Sequence, residues 1–421
     1  MAEFKAEVFQ NEYLADGGTD VHAVVSVTCS GAGAAGSSGD AAEIIIVDIS
    51  TSMGVDKMNA ARQGAMVAVD QINDGVWFGI IAGNERAVNI YPGRAAMVRM
   101  DPSTRAAAKQ AIAGLRTSGG TAIGTWLHLA SATFDQVPSA TQRHAILLTD
   151  GQNQSETPEA FAAAIAAAEG RFQCDCRGVG ADWQVAELRS IATALLGTVD
   201  LIARPEDLAA DFEALMRDAM SRGVASAALR LWTPQGSNIL FVRQVAPTLE
   251  ELTGRRTEIN PLTGDYPTGS WGDESRDYHV AVRVAPKPIG SEQLAARVSL
   301  VVGADVMSAG LVKAIWSDDA TLTTRINAAV AHFTGQAELA DAIQEGLAAK
   351  AAGDDATATT KLGRAVQLAA ETGDEDATAK LRKVVDIDDP DTGTVRLKRQ
   401  VDKLDEMALD TASTKTTRVK R

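Results

Sequence analysis

The apolar positions change period twice along the chain. Phe4, Ala6 and Val8 alternate with Glu3, Lys5 and Glu7, and Val21, Ala23, Val25 and Val27 repeat the period of two, which predicts two strands with one buried face each. A Gly/Ser/Ala stretch over residues 30–40 follows and reads as a flexible join. From residue 43 the pattern becomes solid apolar runs, EIIIVD (43–48), VWFGIIA (76–82), HAILLTD (144–150), QCDCRGVG (173–180) and VDLIARP (199–205). Helical stretches near 57–72, 102–116, 122–135, 157–169, 185–196 and 206–221 separate them. Strands apolar on both faces and alternating with helices predict a mainly parallel sheet covered on both sides.

After Gly223 the period returns to two. Tyr278, Val280, Val282 and Val284 share one face, as do Ala296, Val298, Leu300 and Val302, which predicts an antiparallel β-domain. The first two strands have no other sheet to join, so they are expected to pair here, with the α/β domain inserted between. From about 307 helical stripes take over: Leu322, Ile326, Val330 and Phe333, then Leu339, Ile343 and Leu347, then Leu362, Val366 and Ala369. The hairpin beginning ADAIQEGLAAK weakly resembles one tetratricopeptide unit, too little for a repeat array. Pro390 is read as opening a polar, disordered, basic tail. The expected domains are therefore 1–38 (first strands of a β-sandwich), 40–222 (α/β), 223–306 (rest of the sandwich), 307–388 (helical) and 389–421 (tail).

Composition narrows the function classes. A chain of 421 residues is too long for one core and predicts two to four domains. The net charge of −15 argues against nucleic-acid binding, which needs a basic footprint. Residues 391–421 carry +3, leaving −18 on the remainder. No run approaches the roughly 20 apolar residues of a membrane span. The start, MAEFKAEVFQNEY, has no apolar signal segment, and three cysteines make no disulfide framework, so a cytoplasmic location is expected. The sequon at Asn153 then carries no weight. Arginine outnumbers lysine 27 to 13, a composition of GC-rich bacterial genomes.

The first solid strand ends in Asp48-Ile49-Ser50-Thr51-Ser52, a D-x-S-x-S run at the carboxyl edge of a parallel sheet, where ligand sites of such sheets lie. Two further oxygen-bearing loops fall in equivalent places, Ser118-Gly119-Gly120-Thr121 and Thr149-Asp150-Gly151. Two carboxylates and several hydroxyls, without His or Cys, suit magnesium or manganese rather than zinc.

Asp48-x-Ser50-x-Ser52, Thr121 in GGT and Asp150 in TDG, in this order, resemble the metal-ion-dependent adhesion site of von Willebrand factor A domains, of the intracellular bacterial type. The late segment GVGADWQVAELR looks like that family's strand–turn–helix ending, and the likeness spans roughly 40–222. The resemblance implies a Rossmann-like doubly wound sheet. It also implies metal-dependent protein binding, in which Ser50, Ser52 and Thr121 ligate Mg2+ or Mn2+ through hydroxyls. Asp48 and Asp150 would act directly or through water, and a partner's Asp or Glu would complete the coordination. The whole architecture, a sandwich split by an A domain and followed by a small helical bundle, resembles coat-forming and inter-alpha-inhibitor-like members of the superfamily.

Other chemistry has less support. Cys174-x-Cys176 alternates faces on a strand and lacks further zinc ligands. The five histidines are scattered, and there is neither a G-x-S-x-G elbow nor a phosphate-binding G-x-x-x-x-G-K-[ST] loop, so no enzyme is expected. Trp77, Trp126 and Trp183 read as packing residues. In the tail, T-x-R-φ-K-R occurs twice, at 394–399 and 416–421. Thr394, Thr416 and Thr417 are thus candidate phosphorylation sites for a Ser/Thr kinase, read by a forkhead-associated domain. The leading expectation is a metal-dependent protein-binding scaffold. The alternatives are a phosphorylation-regulated adaptor and a substrate-recruiting partner of an AAA+ ATPase.

Overall fold

Why the chain forms a parallel sheet is visible in its central strand, Ala41–Asp48, buried at all eight positions. Only a strand flanked by two others and covered by helices on both faces buries every side chain. The computed structural model describes residues 2–32 and 41–418, so most of the expected flexible join lies outside the described residues. The described chain forms two units. One contains Gly31–Ser226 with Gly269–Asp273; the other contains Glu3–Ser30, Ala227–Thr268 and Glu274–Arg421.

In the first unit the sheet runs Val199–Ile202, Gln173–Val179, Gln142–Thr149, Ala41–Asp48, Trp77–Gly83, Ala87–Tyr91. The first five strands are parallel and the last antiparallel. The antiparallel edge strand escaped the sequence reading because its five residues hold no continuous apolar run: Val88 points to solvent while Asn89 is buried. On one face, Ile45, Val47, Phe78 and Ile80 pack with Met58, Ala61 and Ala65 of helix Asp56–Gln71 and with Phe212 and Met216 of helix Leu208–Ser221. Those helices touch at Gly64, where a methyl group would stand 2.3 Å from a Leu208 methyl carbon. Trp126 and Trp183 are packing residues, each fully buried over a glycine, Gly83 and Gly178.

The second unit carries the two sheets of the sandwich. One runs Glu3–Gln10, Asp20–Ser30, Ser275–Arg283, Asn238–Ala246, Glu250–Glu251. Tyr278, Val280 and Val282 stand opposite Val25, Ala23 and Val21, so the first strands of the chain do pair with strands that follow the α/β segment. The other runs Thr257–Asn260, Thr263–Trp271, Val224–Trp232, Glu292–Val302, Asp305–Trp316, Tyr13–Leu14.

Three expectations for the C-terminal third need correction. The segment from 307 is not yet helical: Asp305–Trp316 is a strand of the second sheet, with Val312, Ala314 and Trp316 buried at a period of two. The stripe from Leu322 to Phe333 is broken, because Asn327 caps a new helix, Ala328–Ala351, leaving Ile326 exposed while Val330 and Phe333 pack on Val24 and Val245. The later stripes hold, with Leu339, Ile343, Leu362, Val366 and Ala369 in one core.

The tail is folded as far as the described residues run. Val385–Asp389 and Thr394–Leu397 form a hairpin, turned at Gly393 in the left-handed region, and Lys403–Ala412 is a helix. Val395 and Leu409 are sparse in a polar sequence, yet they complete a core that already holds Leu381 and Val384. Further on, Thr414 and Thr416 hydrogen-bond the backbone of Leu249 and Pro247.

Candidate metal centre

Three loops at the carboxyl edge of the parallel sheet build the site, and backbone bonds tie them together. Ile49 N–H donates to Gly83 O at 2.7 Å, Ser118 N–H to Ile49 O at 2.7 Å, and Thr51 N–H to Gly119 O at 3.0 Å. The Gly119 backbone sits at φ +73°, a left-handed conformation that favours glycine there. Trp126 braces this edge from below: its indole N–H donates to Asn84 O at 2.8 Å, and Asn84 O also accepts from Ala122 N–H at 3.0 Å. Thr121 is thereby held between two clamped backbone points.

The five expected residues come together. Asp48, Ser50, Thr121 and Asp150 are buried, and Ser52 is exposed at the rim. Asp48 Oδ1 accepts from Ser50 N–H at 2.6 Å, and its Oδ2 accepts from the Thr149 hydroxyl at 2.5 Å. The Ser50 and Ser52 hydroxyls are 2.9 Å apart, and Ser52 donates to Asp150 Oδ1 at 2.7 Å. Burial pushes the Asp48 carboxyl up to about 6, more than the bonds from Ser50 and Thr149 bring it down.

Gly151 measures the fit for an ion. A methyl group there would stand 3.1 Å from Ser52 Oγ, 3.3 Å from Thr121 Oγ1 and 4.0 Å from Ser50 Oγ. Hydroxyls of two loops thus converge on a point kept free of carbon by the glycine of the third. Among the described residues no three His, Cys, Asp or Glu side chains form a metal cluster, so a site here relies on hydroxyls with two carboxylates. That hard-oxygen set fits magnesium or manganese.

A model of the von Willebrand factor type A domain matches residues 42–201, and a model of the von Willebrand factor type A C-terminal domain matches residues 367–413. The solved von Willebrand factor type A structure from Catenulispora acidiphila is 50% identical, covers 99% of this chain and 97% of its own, and superposes with a TM-score of 0.94. The chain belongs to the von Willebrand factor type A family. The ArnB paralog VWA2 from Sulfolobus acidocaldarius shares the fold over 98% of both chains at 15% identity, with a TM-score of 0.59. An uncharacterized Synechocystis protein is 25% identical over 213 residues, and this chain spans about half of its length (49%).

The A-domain site contains residues that the motifs did not announce. Lys57 Nζ lies 2.7 Å from Asp150 Oδ2 and 3.3 Å from Asp182 Oδ2. Burial pulls its ammonium down, but the bonds and charges of Asp150 and Asp182 outweigh this and raise it. The loop after Asp150 caps the helix after Thr121: Asn153 Oδ1 accepts from Ile123 N–H at 2.9 Å and Glu156 from Gly124 N–H at 2.7 Å. An Asn and a Glu beyond TDG, facing a helix with no acceptor of its own at its start, were the available signal.

The cysteine and threonine readings divide. Cys174 and Cys176 are buried free thiols. Of the threonines expected in a disordered tail, Thr416 is half-buried with its hydroxyl donating to Val245 O at 2.6 Å, and the Thr417 hydroxyl and N–H donate to the Gln336 side-chain oxygen at 2.9 and 3.1 Å. Thr394 is exposed on its hairpin strand and bonds to Thr392. The end of the second T-x-R-φ-K-R run, residues 419–421, lies outside the described residues.

Proposed function

We propose that the chain is a cytosolic, divalent-metal-dependent protein-binding scaffold, with no catalytic step of its own. Asp48, Ser50, Ser52, Thr121 and Asp150 would hold Mg2+ or Mn2+. The bound ion would supply an electrophilic position for a partner's Asp or Glu carboxylate. The observation that carries this reading is the convergence of three hydroxyls on the Gly151 side of the cleft, with Asp48 and Asp150 behind them. Neither carboxylate is left as a general base: Asp48 is committed to Ser50 and Thr149, and Asp150 to Ser52 and Lys57. No helix of the described residues is long and apolar enough to cross a membrane.

Calorimetric titration of Mg2+ and Mn2+ into the full chain tests the assignment. Saturable binding is expected, weakened at least about tenfold in Asp150→Ala and in Ser50→Ala, with both variants folded by circular dichroism. Wild-type affinity in Asp150→Ala would refute the assignment.

A further inference from the structure

Lys57 lies in the first turn of helix Asp56–Gln71 and is only 22% exposed at its side chain. Its stem runs beside Gly180, where a methyl group would stand 3.5 Å from Lys57 Cε, and its ammonium ends against the buried carboxylate of Asp150. Asp150 is therefore shared, Oδ1 with the Ser52 hydroxyl and Oδ2 with an internal cation. Asp182 also touches the ammonium, but at 71% exposure its charge is largely screened by water. The other carboxylates of these loops are occupied with backbone: Glu85 accepts from Gly120 N–H, Glu156 from Gly124 and Glu187 from Asn153. Those bonds leave the three charges in place, but among the five expected ligands and the side chains that contact them directly, two carboxylates, Asp48 and Asp150, face one ammonium, Lys57.

Resting on the metal-centre reading above, we propose that Lys57 is a built-in counter-cation that leaves the metal-loaded site with a net positive charge. It lowers the affinity for the ion and raises the affinity for an incoming carboxylate. With Lys57, a site of net −1 becomes +1 on taking a divalent ion, and an arriving carboxylate neutralises it. Without Lys57, a site of −2 becomes neutral, and the carboxylate gains nothing from net charge. A single side chain would then set the division between holding metal and holding partner. A residue that merely orients Asp150 predicts something different, since its loss would weaken metal and carboxylate alike.

The test uses the full chain, Mn2+ by calorimetry, and sodium acetate titrated into the manganese-saturated protein with water-proton relaxation as the readout. Lys57→Met is expected to bind Mn2+ about tenfold more tightly and acetate about tenfold more weakly, the opposite signs following from one deleted charge. Lys57→Arg, which keeps the charge, is expected to stay within about threefold of wild type on both axes. Weaker Mn2+ binding in a folded Lys57→Met, or parallel shifts on the two axes, would overturn the counter-cation role while leaving the metal centre standing. Absence of Mn2+ binding in the wild type would overturn both.

Discussion

The two ends of the same parallel strands carry two polar clusters, each of two carboxylates and one cation, with the cation placed differently. Toward the amino edge, His144 sits between Glu43 and Asp175, with Nδ1 2.7 Å from one carboxylate and Nε2 2.8 Å from the other. Two ionised carboxylates, one on each ring nitrogen, favour an imidazolium. Burial opposes that charge, but Glu43 and Asp175 outweigh burial and lift His144 to about 9. Asp175 is held well below the usual carboxylate range, the His144 bond and charge overcoming its burial, and it also accepts two bonds from Thr198 at 2.6 Å. Five residues further along these strands, Asp48 has only hydroxyl and amide donors, and burial raises it to about 6. One edge sets its cation between both of its anions. The other gives its cation, Lys57, to Asp150 alone and leaves Asp48 with hydroxyl and amide donors, which is the arrangement expected of a site that takes a second cation from outside.

The largest effect expected from breaking this contrast is at the closed edge. His144→Leu leaves two buried carboxylates without their cation and should cost about 3–5 kcal/mol in urea unfolding. The same residue sets a pH dependence. Its folded pKa lies above its unfolded value, so its contribution is fully present below about pH 6.5 and is lost as pH rises through about 9. A loss below about 1 kcal/mol in His144→Leu would show that the network is not ionised.

At the open edge the sign reverses. Asp48→Asn keeps an acceptor for Ser50 N–H and removes a buried charge, so in EDTA at pH 7 it should stabilise the protein by about 2 kcal/mol while abolishing metal binding. Because the folded pKa of Asp48 is raised, its ionisation costs stability progressively as pH rises from about 4 through about 6. The gap between the variant and wild type should therefore open over that window and stay constant above it. A variant less stable than wild type at pH 7 would remove the distinction between the two edges.

The smallest effect sharpens how the open edge is held. Asn153→Ala deletes the acceptor for Ile123 N–H and should cost about 1 kcal/mol by thermal melting. It should also weaken metal binding a few-fold, since Thr121 enters that helix. Unchanged metal affinity would confine the cap to a structural role.

The parallel sheet was legible in the chain because a strand buried on both faces must be apolar throughout, and EIIIVD and HAILLTD are nearly so. The three oxygen-bearing loops were legible for a related reason, since each follows the carboxyl end of a buried strand or opens a helix there, and the resemblance to A domains then singled out Asp48, Ser50, Ser52, Thr121 and Asp150, which the structure brings together. The exceptions inside those same runs, Glu43 and His144, were passed over, because their meaning lies in each other and in Asp175, 101 and 31 residues from His144.

Separation explains the remaining division. The order of residues along the chain was enough to locate the buried strands, the starts of the oxygen-bearing loops, and the need of the first strands for a sheet beyond the inserted domain. The fold in three dimensions was needed to bring Lys57 to Asp150 across 93 positions and to set Asn153 as the cap of the helix that follows Thr121. It also decided that the polar C-terminal segment folds, because Val395 and Leu409 are too few to make a core alone and suffice only to finish one supplied by other helices. Periodicity records the face an element buries, whereas charge balance and the last side chains of a core depend on neighbours that periodicity does not name.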